Sequence, residues 1–385
     1  MASFRKHNNG TWEYRVRYKD RITNKYREKS QRGFKTKKEA QLAAAQVEME
    51  IDQLGFSENG SELVKNYFME WLETYKKPKL KINTYTVQER NVRLNIIPRW
   101  GNYKLKEITR NEYQKWINEL RGHYTEGTVR RIHSIMSSAL NDAVHEFRIL
   151  RENPLVKIVI PKSQETEKLK YFTIDELERF LNELKKPVKN AKYKHSIQYL
   201  VLFTLIARTG LRIGEALALT WDDIDFENKL LSVNKTLSYP LNTNPIITSP
   251  KTKASIRTIK LDDQTIKMLK KQKINRNEMY LMYRDYRQPD TNIIFHQHEG
   301  RWLRTNVVRE YFKEVCKRAG LPVLSPHALR HSHAVHLLES GATIKYVAER
   351  LGHASIKITA DTYLHVTKKI ENDALERYQR YTNNL

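Results

Sequence analysis

The sequence has very little cysteine and no long apolar run, and both shortages narrow the class of protein. Its one cysteine, Cys316, cannot form a disulfide within the chain, and no paired Cys and His spacing typical of a structural zinc site occurs. A reducing cytoplasm is therefore the expected setting. The first residues, MASFRKHNNG, lack the apolar core of a secretory signal, and no stretch approaches the roughly 18 apolar residues of a membrane span. We expect neither export nor membrane insertion.

Acidic residues are also in short supply. The 385 residues carry 69 Lys and Arg but only 44 Asp and Glu, for a formal charge of +25. Each phosphate that a cation neutralises releases counterions and adds affinity that does not depend on base sequence. The surplus therefore favours a nucleic-acid partner over a basic but merely soluble protein. The length leaves room for two or three domains.

The first predicted strand alternates between two kinds of side chain. Residues 11–18 read TWEYRVRY. One face carries aromatic and aliphatic side chains, and the other carries Glu13, Arg15 and Arg17. This alternation is typical of a half-buried strand. An Ala-rich helical pattern begins after Thr36, which is a suitable N-cap.

Residues 1–55 are thus predicted to form a small sheet backed by one helix, with a second strand around residues 25–32. Residues 1–38 contain 13 Lys and Arg against 3 acids. Since a narrow β-sheet fits the major groove of DNA, we expect the outer face to bind DNA through Arg15 and Arg17. A solvated charged face is the alternative.

Residues 61–150 show apolar residues at helical spacing throughout, which predicts an all-helical domain. The basic stretch KKPKLK, residues 76–81, separates its first two helices and is either a phosphate contact or an exposed turn. Residues 151–170 are polar, with an extended piece between two prolines, and are interpreted as an interdomain linker.

A larger domain is predicted over residues 171–385. Thr173 and Glu176 have the spacing of a capping box, which indicates a helix start. The whole chain is therefore predicted to be multidomain and mainly α with small β: an N-terminal β-sheet plus helix, an all-helical domain and a mixed α/β domain.

Four segments of this last domain concentrate polar residues against the local apolar pattern. In ARTGLRIGEALALTW, residues 207–221, two helices meet at a turn that carries Arg212. A guanidinium there can grip a phosphate with two hydrogen bonds, although a solvated arginine is the plainer alternative. In SPKTKASIRTIKL, residues 249–261, alternating isoleucines predict one arm of a β-hairpin. Lys251 or Lys253 at its tip could donate a proton or bind a phosphate.

The third segment, PHALRHSHAVHLLESG, places His327 and Arg330 on one face near the start of a helix. Its four histidines suggest zinc, but HExxH is lacking and no cysteine is near, so the other three are expected to be solvated or hydrogen-bonded. The fourth segment, ERLGHASIKITADTYLHV, holds His353 after a glycine and Tyr363 ten residues later. The isoleucines of this helix are expected to point inward.

An ordered set of these residues resembles the active site of the tyrosine recombinase family, the phage integrases and their relatives. In chain order the set is Arg212, Lys251 or Lys253, His327, Arg330, His353 and Tyr363. The resemblance covers residues from about 171 to 385 and depends on the TGLRIGE, HALRH, LGH and TY segments. More loosely, the N-terminal sheet and the helical domain resemble the arm-type and core-type DNA-binding modules of larger integrases.

The resemblance implies that Tyr363 attacks a DNA phosphate and forms a 3′-phosphotyrosyl link. Arg212 and Arg330 would stabilise the charge that accumulates on phosphorus, in place of the metal that other nucleases use. Because the bond energy stays in the covalent link, a free 5′-hydroxyl can reverse the step without ATP. No cofactor and no metal are expected.

The resemblance also assigns the remaining roles. Lys251 is the implied general acid for the 5′ leaving group, because it precedes a threonine as in the family's Lys-Thr pattern, and Lys253 is the alternative. His327 is implied as acid and base for the tyrosine, and His353 as a hydrogen-bond donor to the scissile phosphate. Glu215 is expected to orient the site without acting in the chemistry.

Beyond Tyr363, the tail KKIENDALERYQRY has an amphipathic helical pattern. In this family such a tail docks on a neighbouring subunit, which implies a homotetramer on two DNA duplexes; a helix packed on its own domain is the alternative. The expected partners are double-stranded DNA attachment sites of the core and arm types. An excision factor and a host DNA-bending protein are the accessory partners of such an enzyme, although no residue identifies them.

Two other functions compete with this interpretation. A type IB topoisomerase-like relaxase uses the same chemistry without strand exchange, but the two extra DNA-binding modules argue against it. A non-catalytic DNA-binding regulator with the same fold would leave the complete residue set as a coincidence. We therefore predict a bacterial, DNA-associated, site-specific recombinase that integrates and excises a mobile element, either a phage or a conjugative transposon.

Overall fold

The computed structural model describes most of the chain, which divides by its internal contacts into two compact units, Met1–Thr166 and Glu167–Leu385. Lys251 and residues 364–374, which carry much of the predicted tail helix, lie outside the described residues. The described residues are 2–19, 26–54, 61–162, 170–186, 196–239, 244–250, 252–284, 286–289, 291–363, 375–376, 378–379 and 381–382.

The first unit begins with a three-stranded antiparallel sheet in the order β1-β2-β3. The strands and the helix that follows are β1 (Ala2–Lys6), β2 (Trp12–Lys19), β3 (Tyr26–Phe34) and α1 (Lys37–Leu54). The sequence pattern did not predict β1. Tyr14 and Val16 of β2 are buried in one apolar cluster with Ala44 and Val47 of α1. The aromatic face of β2 therefore meets the helix, as predicted.

The rest of the first unit is helical, as predicted. Its helices are α2 (Val64–Glu70), α3 (Ile82–Asn91), α4 (Ile97–Trp100), α5 (Arg110–His123) and α6 (Glu126–His145). Wider π-type turns over Trp71–Lys76 and Val92–Ile96 continue α2 and α3. Thr109 and Thr125 cap α5 and α6 by accepting backbone amide hydrogen bonds. One cluster of buried apolar side chains joins α2, α5 and α6.

Part of the predicted linker is bound to this helical core. The Gln114 side chain donates to the Val159 carbonyl at 2.7 Å and accepts from the Val159 amide at 2.9 Å. From the same helix, Arg110 and Arg121 donate to two more backbone carbonyls of the segment, each at 3.0 Å. Residues 163–169 lie outside the described residues. The first half of the predicted linker is thus an ordered extension of the first unit.

The second unit is a mixed α/β fold around the buried helix α8. Its helices are α7 (Ile174–Leu184), α8 (Ser196–Thr209), α9 (Ile213–Leu217), α10 (Asp263–Met282), α11 (Thr305–Arg318), α12 (His327–Glu339), α13 (Ile344–Leu351) and α14 (Ile356–Tyr363). The capping box of Thr173 and Glu176 is present at the start of α7. Helix α8 packs against α7, α10 and α12. Among the helices of the described ranges, none has both the length and the apolar character to span a bilayer.

The strands of the second unit are short. They are β4 (Ile224–Asp225), β5 (Leu230–Val233), β6 (Thr236–Ser238), β7 (Ile246–Thr248) and β8 (Arg257–Lys260). They form the sheet β4-β5-β8 and the hairpin β6-β7. The stretch 249–261 contains the strand β8, but β8 pairs with β5 and not with the preceding strand β7, and a helical turn at Lys253–Ser255 shortens it, so the predicted hairpin arm was wrong. Ile259 is buried and Ile256 is exposed, as expected for residues three apart, which lie on opposite faces of an extended chain.

Candidate active site

The turn between α8 and α9 presents Arg212. Gly210 follows α8 with a left-handed φ of 67°, and a Cβ added there would lie 2.5 Å from a side-chain carbon of Leu351. Arg212 is the N-cap of α9, and its side chain is 38% exposed. Glu215 accepts hydrogen bonds from the Arg212 amide at 3.0 Å and from its guanidinium at 2.7 Å. A carboxylate in the first turn of α9 therefore holds this arginine.

Arg257, which the sequence analysis did not select, binds the same carboxylate. Its Nη2 donates to Oε2 of Glu215 at 3.0 Å, and its Nε donates to the Arg350 carbonyl at 2.7 Å. Burial would raise the pKa of Glu215, but Arg257 and Arg212 outweigh it and lower that pKa. The buried carboxylate thus stays ionised between two cations. Alternation from the buried Ile259 would have placed Arg257 on the inward face of β8.

Arg330 of α12 is almost completely buried, with 1% of its surface exposed. Its Nη1 donates to the Gly210 carbonyl at 2.6 Å, and its Nη2 donates to the Leu351 carbonyl at 2.8 Å. Burial, with Arg212 nearby, lowers the pKa of Arg330 to about 9, which still leaves it charged at neutral pH. Two carbonyls at the ends of α8 and α13 therefore fix this cation in place.

His353 follows the left-handed turn that ends α13. Gly352 there has a φ of 68°, and an added Cβ would lie 3.0 Å from a guanidinium nitrogen of β8. The Gly352 carbonyl accepts from Nη2 of Arg212 at 3.4 Å. Nδ1 of His353 lies 2.7 Å from Oγ1 of Thr359. Burial, followed by the charges of the neighbouring arginines, lowers the pKa of His353 to about 4, so the ring is neutral at pH 7.

Tyr363 ends α14 and is 1% exposed. Its hydroxyl oxygen lies 2.9 Å from Nδ1 of His331. Burial raises the pKa of Tyr363 to about 12, while Arg330 and Arg212 act in the opposite direction. The tyrosine therefore belongs to the same charged cluster as both arginines. His331 was not among the residues predicted for the site, although it follows His327 by four residues and so shares its helix face.

The histidines of α12 have separate partners. The ring of His327 meets the ring of His331 edge-on, with centroids 4.6 Å apart, and burial lowers the pKa of His327 to about 4. Nε2 of His333 accepts a hydrogen bond from Nε of Arg350 at 3.0 Å. Nε2 of His336 lies 3.0 Å from a backbone carbonyl oxygen. Within the described ranges, no group of three or more His, Cys, Asp or Glu side chains is placed to hold a metal ion.

The orientation predicted for α14 was wrong. Ile356 and Ile358 are 49% and 45% exposed, whereas Thr359 and Tyr363 are buried. Thr359 and Tyr363 lie one turn apart on the face that carries the hydrogen bonds to His353 and His331, so the isoleucines face away.

The predicted lysine and tail helix are only partly within the described residues. Lys251 lies outside them, and Lys253 is exposed in the turn before β8, so the choice of lysine stays a prediction. In the tail, Leu375 and Tyr378 are helical and exposed.

The cluster as a whole is suited to a phosphate. Arg212, Arg257 and Arg330 provide three cations and Glu215 one anion, which leaves a net charge of +2 around the neutral His353. Fixed guanidinium groups are the donors that best match phosphate oxygens. The arrangement can therefore stabilise charge that develops on a phosphate beside a tyrosine hydroxyl.

The predicted DNA-binding face of β2 has a buried carboxylate at its centre. Arg15 and Arg17 are exposed, but Glu13 is 1% exposed where a solvated side chain was expected. Its carboxylate lies 2.8 Å from Nε2 of His7, 3.3 Å from Nε of Arg15 and 3.8 Å from Nε of Arg32. The hydrogen bond to His7 is the main cause that lowers the pKa of Glu13. Glu13 is therefore the shared partner of three basic side chains on this surface.

Three protein-family models match successive parts of the chain. An arm DNA-binding domain matches residues 3–51, and an N-terminal SAM-like domain of phage integrases matches residues 63–121. The phage integrase family matches residues 170–369, which include the whole arginine, histidine and tyrosine cluster.

Two relatives extend this similarity. The chain is 34% identical over 289 residues to a tyrosine recombinase XerC-like protein of Caldanaerobacter subterraneus subsp. tengcongensis, and the match covers 71% of each chain. It is 30% identical over 292 residues to the ICEBs1 integrase of Bacillus subtilis, covering 74% of each.

Solved structures share the fold. The Tn1549 transposon integrase in complex with transposon right end DNA matches with a TM-score of 0.68 at 21% identity, covering 82% of this chain and 99% of that one. A lambda integrase dimer bound to a COC′ core site matches with a TM-score of 0.58 at 18% identity, covering 93% of each. The predicted multidomain, mainly α fold with small sheets is confirmed.

Proposed function

The chain belongs to the phage integrase family and is a site-specific DNA recombinase of a mobile element, and we propose that Tyr363 is the nucleophile with which it cuts and rejoins DNA. The observation that carries this proposal is the position of the Tyr363 hydroxyl, hydrogen-bonded to His331 in the field of Arg212 and Arg330. This family membership does not favour the relaxase or the non-catalytic regulator.

In the proposed reaction the Tyr363 oxygen attacks phosphorus and forms a 3′-phosphotyrosyl link, and the 5′ oxygen leaves. Arg212 and Arg330 stabilise the negative charge on the non-bridging oxygens, since both are held rigidly before the substrate arrives. Glu215 positions Arg212 without contacting the phosphate. A 5′-hydroxyl of a partner strand then reverses the step, so the reaction needs neither ATP nor a metal.

The other roles follow the family pattern. Lys251 is proposed as the acid that protonates the 5′ oxygen, with Lys253 as the alternative. His353 has its Nδ1 beside Thr359, which leaves Nε2 to donate a hydrogen bond to the scissile phosphate. His327 lies at the start of α12 beside His331 and is proposed to take part in proton transfer around the tyrosine.

The proposed DNA partners are double-stranded attachment sites. The Tn1549 integrase structure contains transposon right end DNA and the lambda integrase dimer is bound to a core site, which supports core DNA as the substrate of the second unit. The arm-domain match and the exposed Arg15 and Arg17 support arm sites as ligands of the N-terminal sheet. We further propose a homotetramer on two duplexes, assisted by an excision factor and a host DNA-bending protein, in the bacterial cytoplasm.

The nucleophile is tested with a nicked duplex that carries the attachment core, whose sequence is read from the joined ends of the excised element. Wild type should form a protein–DNA adduct that survives SDS on a denaturing gel, and Tyr363→Phe should form none. Absence of the adduct in wild type, or an equal amount in the variant, contradicts the proposal.

The N-terminal module has a separate test. Deletion of residues 1–55 should weaken binding to arm-site duplexes in a gel-shift assay, while cleavage of the nicked core duplex survives. Unchanged arm-site affinity in the truncated protein would remove the arm-binding assignment and leave the nucleophile untouched.

A further inference from the structure

We infer that His331 is the residue that receives the proton of the Tyr363 hydroxyl during attack and holds the tyrosine ring between turnovers. The inference rests on the proposed function, because it assigns the proton acceptor of the same nucleophile. By family analogy the proton acceptor would be His327, whereas the geometry points to a different side chain of the same helix.

The contact between His331 and Tyr363 is direct. Nδ1 of His331 lies 2.9 Å from the Tyr363 hydroxyl oxygen, and the two rings are 5.7 Å apart between centroids. The tyrosine is 1% exposed and packs with Leu338, Val347 and Leu351 in the small core between α12 and α13. The ring is therefore held by apolar contacts, and His331 is positioned at its polar end.

His327 occupies a different position. Its ring meets the edge of the His331 ring at 4.6 Å between centroids, with an angle of 82° between the planes. In the part of the chain that the structure describes, the Tyr363 hydroxyl forms its hydrogen bond with His331. His331 thus lies next to both residues and touches the reacting oxygen itself.

The protonation states suit this role. Burial, with Arg330 nearby, lowers the pKa of His331, so the ring is neutral at pH 7. With its proton on Nε2, the neutral ring presents the lone pair of Nδ1 to the tyrosine. A buried tyrosine whose pKa is about 12 does not ionise alone at neutral pH and needs an acceptor within hydrogen-bond distance.

The step balances without a cofactor. The O–H bond of Tyr363 breaks and its proton moves to Nδ1 of His331, while the oxygen electron pair forms the new O–P bond. The P–O5′ bond breaks with its electron pair on the 5′ oxygen, which takes a proton from the general acid assigned above. On rejoining, the 5′-hydroxyl forms the new P–O5′ bond and gives its proton to the deprotonated general acid, while the O–P bond to Tyr363 breaks and the imidazolium of His331 returns its proton to the tyrosine oxygen.

Two variants at the same position separate the base from a structural contact. In His331→Asn, the side-chain oxygen can occupy the place of Nδ1 and accept the hydrogen bond, but it cannot hold the proton. In His331→Ala both functions are lost. We expect adduct formation on the nicked core duplex to slow by about 100-fold or more in the alanine variant, the scale of general-base catalysis. The asparagine variant should recover part of this loss.

The pH profile is the readout that a purely structural role would not change. Among the described residues, the titratable or charged groups recorded against His331 are His327, Arg330 and Tyr363. The ratio of wild-type to His331→Asn cleavage rates should shrink as the pH is lowered from 7.5 through the pKa of His331, which burial places below its usual value of 6.5, because protonated His331 no longer accepts a proton. His353, whose pKa is about 4, is present in both proteins. His331→Asn also removes one of the groups that lower the pKa of His327.

A matched control lies on the same helix. Nε2 of His336 donates one hydrogen bond to the Phe172 carbonyl, away from the tyrosine, and His336→Gln keeps an amide N–H donor at the position of Nε2. Its cleavage rate should stay within about threefold of wild type. Core-duplex binding in a gel-shift assay should be unchanged in the two His331 variants.

The outcomes distinguish the two levels of the proposal. If wild type forms no adduct, or Tyr363→Phe forms one, the proposed function fails. If wild type forms it and His331→Ala cleaves within threefold of wild type, only the present inference fails. A constant wild-type to His331→Asn ratio across the pH range also overturns the base role, even if His331→Ala is unstable.

Discussion

Both units of the molecule place one buried glutamate against a pair of arginines, but the exposure of those arginines differs between the units. In the second unit Glu215 holds Arg212 and Arg257, the latter with only 7% of its side chain exposed. In the first unit Glu13 lies within 3.8 Å of guanidinium nitrogens of Arg15 and Arg32, which stay 43% and 74% exposed. Glu215 thus pairs with one buried and one partly exposed arginine, since Arg212 keeps 38% of its side chain exposed, whereas both arginines beside Glu13 are exposed.

The difference follows from what each cation must do. Charge that develops on a phosphate during reaction is stabilised best by donors that need no rearrangement, and Arg330 is accordingly fixed by two backbone carbonyls. A surface that follows a DNA groove gains affinity from counterion release, which tolerates mobile side chains. The burial of Arg330 therefore suits charge stabilisation, and the exposure of Arg15 and Arg32 suits binding.

The largest effect should come from Glu215→Gln, which leaves Arg257 buried without its carboxylate. Breaking one side of a buried ion pair costs about 3–5 kcal/mol, so the second unit should unfold at lower urea concentration. Hydrogen exchange of α9 and β8 amides should locate the loss. Glu73→Gln is the matched control, since its pair with Lys77 is exposed on both sides and its loss should leave the urea midpoint unchanged. An unchanged urea midpoint in Glu215→Gln would show that the buried Arg257 does not need this carboxylate, and the contrast with Glu13 would fail.

Arg330→Lys should give the next largest effect. One ammonium group cannot donate to the Gly210 and Leu351 carbonyls and also hold a fork toward the phosphate. Adduct formation on the nicked core duplex should fall by about 10² to 10³-fold, the scale for losing one preorganised donor. The matched change in the first unit, Arg15→Lys, should leave core cleavage unchanged. Near wild-type cleavage by Arg330→Lys would show that fixed geometry is not what the site requires.

Acid should weaken the second unit through its buried histidines. His333 is 8% exposed, and burial lowers its pKa to about 3, below the unfolded value of about 6.5. Between these two pH values, this histidine therefore binds a proton in the unfolded chain but not in the folded chain. The contribution of His333 to the free energy of unfolding is fully present above pH 6.5. Below that pH it should fall by about 1.4 kcal/mol for each pH unit.

In urea titrations from pH 7 to pH 5, the free energy of unfolding of His333→Gln should fall less steeply than that of wild type, because the variant has no proton to bind at that position. The exposed His145 is the control position, and His145→Gln should keep the wild-type slope. A slope that stays the same in His333→Gln would assign the acid sensitivity to other groups.

The smallest effect is expected for Glu13→Gln. The change releases Arg15 and Arg32 from their shared partner without removing a cation, so arm-site affinity should fall by only about two- to fivefold, as for exposed ion pairs. Gel shifts with arm-site and core duplexes measure both affinities, and the core value should not change. A loss above tenfold would mean that the sheet, like the active site, depends on rigidly placed cations.

Local pattern predicted much of this molecule correctly. The alternation of β2, the capping box at Thr173 and the turn that presents Arg212 each depend on residues within about one helical turn of one another. The i, i+3 spacing of His327 and Arg330 placed both on α12 for the same reason. The hairpin predicted over residues 249–261 was wrong because β8 pairs with the distant strand β5 and a helical turn shortens the extended stretch.

Partners that are distant in sequence were decided by tertiary packing. The hydrogen bond between His331 and Tyr363 joins residues 32 positions apart, and the pair of Arg257 with Glu215 joins residues 42 positions apart. Short-range periodicity gives the face on which a side chain lies, but not the side chain that another helix brings against it.

The sequence by itself determined the family, the order of the active-site residues and the basic surface, because these are properties of residue types and their spacing. Only the tertiary structure decided that His331 touches the tyrosine, that Glu215 holds two arginines and that Glu13 is buried. The first two facts depend on how α8, β8, α12, α13 and α14 meet, and the third depends on the pairing of β2 with β1 and β3, because each brings together residues that are distant in sequence.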